Sequence, residues 1–241
     1  MALGLGIANE LLETPTLWSP YNQGLANNLE FWYENNNDIT TSAWLDQSKN
    51  NNDATQGTSL RQPDVFQGGL RFNGTSDYMD MDSKFTIAQG GPFAVFMVMK
   101  LASASNCVFL SDSASEFFEI MTTKKFRFKG SNGGALTTVM TFSDVQFNIG
   151  EVIILSVLRD PEGNFFLYKD GEQVVPDGGS SQNLNNDRGF DIFNLGVRND
   201  NDRLFEGIIY EIFMYNKKLD DPQLDNAHEY LKSKFSAFTD D

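Results

Sequence analysis

Phe193-Asn-Leu-Gly-Val-Arg-Asn-Asp-Asn-Asp-Arg-Leu-Phe-Glu-Gly-Ile-Ile-Tyr-Glu-Ile-Phe-Met-Tyr215 is the stretch on which the reading of this chain turns. Two apolar runs flank a polar tip, Asn199-Asp200-Asn201-Asp202, with Gly196 before it and Gly207 after it. Short strands around an Asn/Asp turn predict a β-hairpin. In the second run Phe205, Ile209 and Phe213 share one parity and Leu204, Ile208 and Ile212 the other. A period of two therefore leaves neither face wet, and a central strand packed on both sides is the simplest account.

Working outward, the rest reads the same way. Leu29-Glu-Phe-Trp-Tyr-Glu34 alternates, and Pro92 to Leu101 is apolar on both faces. Cys107–Leu110, Glu116–Met121, Lys125–Lys129 and Leu136–Phe142 are shorter strands between Ser, Gly, Asp and Asn clusters, the spacing of an all-β protein. Asn73-Gly74 supplies the positive φ angles that the tight type I′ turn of a hairpin requires, Val152–Arg159 runs into the turn Asp160-Pro-Glu-Gly163, and a further hairpin is expected on Asp170-Gly171. Val175 to Arg188 is a solvated loop. Asp220-Asp-Pro222 caps a helix over residues 221–235, whose Leu224, Ala227, Leu231 and Phe235 form one apolar stripe.

Four blocks resemble the LamG-like jelly rolls of the concanavalin A-like lectin/glucanase superfamily. They are Trp44-Leu-Asp46-Gln-Ser48 with Asn52, Gly69-Leu-Arg-Phe72-Asn-Gly74 with Asp77-Tyr78, Leu167-Tyr168-Lys-Asp170-Gly171, and Phe205-Glu-Gly-Ile-Ile-Tyr-Glu-Ile with Tyr215-Asn216. Together they cover roughly residues 25 to 235, in the family's order. Tyr210 stands where the family commonly has Asp. The resemblance implies an all-β fold: a two-sheet antiparallel jelly-roll sandwich over residues 25–241, with a short C-terminal helix and an N-terminal arm over residues 1–24.

Composition sets the outer bounds. The 241 residues suit one large sandwich domain, and the single Cys107, within an apolar run, allows no intrachain disulfide. A net charge of −15 argues against nucleic acid, whose binding rests on clustered Lys and Arg. The one notable basic run, Lys124-Lys-Phe-Arg127-Phe-Lys129, alternates its charges onto the wet face of a strand. No secretory signal is expected, because the apolar start has no Lys or Arg before it and meets Glu10 and Glu13 at once. No run reaches the roughly 20 apolar residues of a membrane-spanning helix. The arm has two readings: a segment packed across the domain, or a docking segment that buries Leu3, Leu5, Ile7, Leu11, Leu12 and Trp18 in an assembly.

For chemistry the residues are sparse. Retaining glycosidases of the superfamily carry two glutamates on one strand, and hydrolysis needs two carboxylates about 5 Å apart. Glu116 and Glu119 fall on opposite faces, and Glu211 lacks a partner two positions on, so it reads as a structural carboxylate. His228, the sole histidine, lies beside the helix's apolar stripe and reads as packing. One Cys and one His cannot close a zinc site. The resemblance raises calcium, with Asp46, Asn73 and Asp77 as ligands by motif and Asp200 and Asp202 by local density. Asn73-Gly-Thr75 matches a glycosylation sequon and reads better as a turn. Trp32, Trp44 and Tyr78 are the aromatic candidates for sugar stacking, with burial as the alternative.

These readings lead to a non-catalytic module. The resemblance, with the Met-Ala-Leu-Gly-Leu-Gly start, extends to structural proteins of tailed bacteriophages. On that ground the expected role is a virion protein: a capsid or tail decoration, fibre or adhesin head. Its arm would hold it to other virion proteins while the jelly roll binds host surface glycans, with self-association open. A free carbohydrate-binding lectin is the alternative, and a glycoside hydrolase a third.

Overall fold

The computed structural model describes residues 18–22, 24–103, 105–122, 125–130, 138–142, 147–175, 189–198 and 202–238. Among these, the strands are β1 (Leu29–Tyr33), β2 (Ala43–Trp44), β3 (Ala54–Thr55), β4 (Asp64–Phe66), β5 (Gly69–Asn73) and β6 (Met79–Ile87). Then come β7 (Phe93–Leu101), β8 (Cys107–Ser113), β9 (Glu116–Ile120), β10 (Phe126–Gly130) and β11 (Thr138–Phe142). The last are β12 (Val152–Arg159), β13 (Phe165–Lys169), β14 (Glu172–Val174), β15 (Phe190–Leu195) and β16 (Glu206–Tyr215), followed by helix α1 (Asp221–Phe235).

They form two antiparallel sheets packed as a jelly-roll sandwich. The first sheet runs β14-β13-β12-β7-β16-β5-β4, and the second β11-β10-β9-β8-β15-β6-β3-β2. The central strand of the first sheet is β16. β7 lies along one side of it, while β5 takes the first half of its other side and β1 the second half. Every residue of β16 after Glu206 is buried, as expected for a strand with apolar groups on both faces.

The expected alternation breaks once inside β16. Opposite β7, the register skips from Ile209↔Met99 to Glu211↔Val98, so Tyr210 is the extra residue of a β-bulge. Ile209, Ile212 and Met214 consequently face the core between the sheets, whereas Ile208, Tyr210, Phe213 and Tyr215 face outward, on the side of the sheet that carries α1. Phe213 thus leaves the face of Phe205 and Ile209 on which a strict period of two places it. The bulge also turns the Glu211 carboxylate to the helix side.

The expected hairpin around residues 199–202 is corrected by the topology. β15 belongs to the second sheet and β16 to the first, so the connection is a crossover between sheets. Only its base is hairpin-like: Arg198 bridges Asp202, and the Phe205 N–H donates to the Gly196 carbonyl at 2.8 Å. Local turn chemistry specifies a reversal and says nothing about which sheet each arm joins. The same correction applies at Asn73-Gly74, where β5 and β6 lie in different sheets and only Gly74 has a positive φ, of 72°. Asp170-Gly171, with φ of 54° and 83°, does close the expected β13–β14 hairpin.

Helix α1 has the expected bounds. Asp220 caps it in a reciprocal box with Gln223, and Pro222 sits in its first turn. Its stripe, Leu224, Ala227, Leu231 and Phe235, covers Phe96, Phe213 and Tyr215 on the outer face of the first sheet. Each fully buried side chain of this kind contributes roughly 2 kcal/mol. The larger core lies between the sheets, with Phe93, Phe118, Phe128, Phe165 and Phe190 in mutual edge and tilted contact. The Val175–Arg188 loop falls outside the described residues from 176 to 188.

Candidate functional site

Among the expected calcium ligands, Asp46 is buried and its two oxygens accept four donors. The Trp32 and Ser48 N–H groups reach Oδ1 at 2.8 Å each, while the Ser48 hydroxyl and the Asn52 N–H reach Oδ2 at 2.6 and 2.9 Å. A hard cation needs those lone pairs, so Asp46 is corrected to a loop-ordering carboxylate that ties residues 46–52 to β1. Asp77 is engaged similarly: the Asn73 backbone N–H donates to it at 3.0 Å, the Asn73 amide at 2.8 Å and the Ser76 hydroxyl at 3.0 Å. The Asn73 Oδ1 in turn accepts the N–H groups of Thr75 and Ser76 at 2.8 and 2.9 Å. Burial raises the Asp77 pKa, opposed by the bonds from Ser76 and Asn73. Asp202 pairs with Arg198 at 2.8 Å, and Asp200 lies outside the described residues.

The aromatic candidates divide. Trp44 has no exposed surface, and its Nε1 donates to the Glu34 carbonyl at 2.9 Å. Trp32 is buried and donates to Glu211 at 2.9 Å. Neither offers a ring face to a sugar, which corrects both as stacking platforms. Tyr78 is half-buried, with the Arg61 guanidinium over its ring and on its hydroxyl. Among the docking candidates, Leu3, Leu5, Ile7, Leu11 and Leu12 lie outside the described residues. Trp18 is corrected to a core residue of this body, packed on Tyr230 and Phe213 with ring centroids 5.3 and 6.3 Å away.

What the structure brings together is a groove the sequence did not single out. Helix α1 covers only part of the first sheet's outer face. Beyond it, one lateral row crosses four strands: Lys100 on β7 pairs with Ile208 on β16, Ile208 with Arg71 on β5, and Arg71 with Asp64 on β4. Arg71 bonds Asp64 at 2.6 Å and lies 5.1 Å over the partly exposed Phe66 ring. This row floors a cleft of about 340 Å³, walled by Asn73, Asp77, Ala102, Gly150, Glu206 and the exposed Ile149. A second cleft of about 280 Å³, lined by Asn36, Gln67 and Phe238, shares Lys100 with the first.

Apolar groups from Ile208 and Ile149 set among acids, an amide and cations are a lining that a sugar could use. The C–H face of a pyranose would lie on the apolar groups and its hydroxyls would reach the polar ones. The groove assembles from residues 64 to 208, far apart in the chain, which is why local reading missed it. The one available signal was that Arg71 and Lys100 are single charges interrupting otherwise apolar strands.

No protein-family model and no curated protein sequence matches this chain. Among solved structures, the chain is similar to the binding domain of Paraclostridial Mosquitocidal Protein 1, at 13% identity and a TM-score of 0.62 over 87% of this chain and 53% of that one. The ligand-binding domain of botulinum neurotoxin serotype D, solved with N-acetylneuraminic acid, matches at 12% identity and a TM-score of 0.58, over 85% of this chain and 51% of that one. Trypanosoma rangeli sialidase matches at 12% identity and a TM-score of 0.60, over 89% of this chain and 34% of that one. The chain thus spans between a third and a little over half of the proteins it matches. At these identities the likeness is one of fold, and the shared fold is the two-sheet jelly-roll sandwich.

Proposed function

We propose that this chain is a non-catalytic recognition module that binds a glycan in the groove on the outer face of its first sheet. The observation that carries the proposal is the Lys100–Ile208–Arg71–Asp64 row, a strip of sheet beside helix α1 on which Ile208 lies between two cations and an acid closes the edge. A binding domain of the same fold, solved with N-acetylneuraminic acid, supports the class of ligand. Because Asp46 and Asp77 already hold N–H donors, binding is expected to survive removal of calcium. A glycan array with and without EDTA, followed by titration of the strongest hit, is the test. Arg71→Ala, at an exposed position, should weaken binding by about tenfold without lowering the melting temperature. Failure of every glycan to bind, or equal affinity in Arg71→Ala, would count against the groove.

The wider role in this proposal is that of a virion structural protein, held to a capsid or tail through residues 1–24, with the sandwich presented to the host surface. It rests on the resemblance of the sequence to tailed-phage proteins. Purified particles should contain the chain, and removing residues 1–17 should abolish incorporation while leaving the sandwich folded. A chain absent from particles favours the free lectin, whereas release of reducing sugar from β-glucans points to a hydrolase.

A further inference from the structure

On the opposite face of the molecule, the outer side of the second sheet, four cations converge on one ring. Arg127, Lys129, Arg203 and Arg198 have their charged groups 5.4, 5.6, 5.8 and 6.0 Å from the Phe117 centroid. The strand register makes this cluster: on β9 and β10, Lys129 stands opposite Phe117 and Arg127 opposite Glu119. Glu119, with no exposed surface, holds Arg127 and Arg203, and Asp202 holds Arg198. Among the described residues, four cations therefore face the carboxylates of Glu119 and Asp202. Among the described residues Lys129 donates to the Ala114 carbonyl, at 3.2 Å. Its pKa is lowered, first by burial and then by the three neighbouring guanidiniums.

Like charges crowded this way repel, and the fold keeps them together at a cost. Arg203 sits at a φ of 55°, a left-handed conformation that a non-glycine residue adopts only under constraint. Its carbonyl accepts the Val108 N–H at 2.8 Å, which pins it there. Beside it, Ser105, Asn106 and Asp202 line a polar cleft of about 380 Å³ that gives a ligand room. On a chain with a net charge of −15, a built knot of positive charge beside a polar cleft selects for an anion small enough to avoid the acidic surroundings. An extended polyphosphate chain would run onto those surroundings and be repelled.

We propose that the Phe117 cluster is a second binding site, distinct from the groove, that takes the sulfate or carboxylate of an anionic saccharide. Guanidinium groups suit both anions through paired N–H donors. Calorimetric titration of the full chain with a sulfated heparin-derived hexasaccharide and its desulfated counterpart tests it, with sialyllactose and lactose as the carboxylate arm. At least one anionic sugar should bind while its neutral counterpart does not, and affinity should fall steeply with salt. Lys129→Glu should weaken binding by more than about tenfold with an unchanged melting curve, and Lys129→Gln serves if the glutamate variant is unstable. Equal binding of charged and neutral sugars, or no response to either Lys129 variant, overturns the proposal. Loss of anionic-sugar binding in Lys100→Ala but not in the Lys129 variants would assign the anion to the groove and overturn the second site alone. An oligonucleotide that competes as well as the hexasaccharide overturns the choice of ligand.

Discussion

Glu211 has no exposed surface, yet three side chains, one from β1 and two from α1, hold its carboxylate. Trp32 Nε1 and the Tyr230 hydroxyl donate to Oε1 at 2.9 Å each, and the Lys234 ammonium lies 2.7 Å from Oε2. Burial raises its pKa, and Lys234 followed by the hydrogen bonds oppose that rise. Lys234→Met leaves a buried carboxylate without its counter-charge and should cost about 3 kcal/mol in chemical denaturation. Adding Glu211→Gln should recover most of the loss; a double variant as unstable as the single would show that Lys234 acts through packing instead. His228 is the second residue with a measurable signature. It is buried, shares a 2.9 Å hydrogen bond with Ser156, and its pKa is lowered to about 4, by burial first and Lys232 second. The unfolded imidazole titrates near 6.5, so between about 6.5 and 4 the unfolded state binds more protons. Stability from this group is therefore complete above pH 6.5 and declines as pH falls towards 4. Melting temperatures of the wild type should drop more steeply across that window than those of His228→Phe, and parallel curves would refute it. The Glu211 contribution slopes the other way but is common to both proteins and cancels.

The element that decides the architecture is β16, and its bulge does so through parity. One extra residue at Tyr210 lets the strand feed the inter-sheet core at Ile209, Ile212 and Met214 while presenting Tyr210 and Glu211 together to the helix. The start of the same strand depends on a glycine. Gly207 has a φ of 152°, and a Cβ there would lie 2.2 Å from the Lys100 carbonyl. Gly207→Ala should cost more than about 2 kcal/mol, since both the backbone conformation and the approach to β7 are lost. Because Gly207 adjoins Ile208, any folded fraction of this variant should also bind groove ligands more weakly. A melting temperature within a degree of wild type would disprove the constraint. The apolar run and its flanking glycines were legible in the sequence. The bulge was not, because a period of two continues on either side of it and only the pairing with β7 reveals the skipped position.

At the scale of the whole molecule, the sandwich is closed by contacts remote in sequence. β16 joins β1, β5 and β7, so the last strand in the chain completes the sheet begun by the first. A chain ending at residue 203 should show no cooperative melt and should bind a hydrophobic dye, because the centre of its first sheet is missing; a cooperative transition would show that the remaining strands suffice. All-β character, the places of most strands and the bounds and cap of the helix follow from the sequence alone. Alternation, turn residues and capping chemistry are local, and each is expressed within a few residues. Tertiary structure alone decided that the segments on either side of residues 199–202 enter different sheets, that Trp32, Trp44 and Trp18 face inward, and that Asp46 and Asp77 hold N–H groups. It also decided where a ligand has room, by joining Asp64, Arg71, Lys100 and Ile208 across four strands and Phe117 with four cations on the far face. The physical reason is reach: backbone preferences act between neighbours, whereas burial and charge act between whatever the folded chain sets side by side.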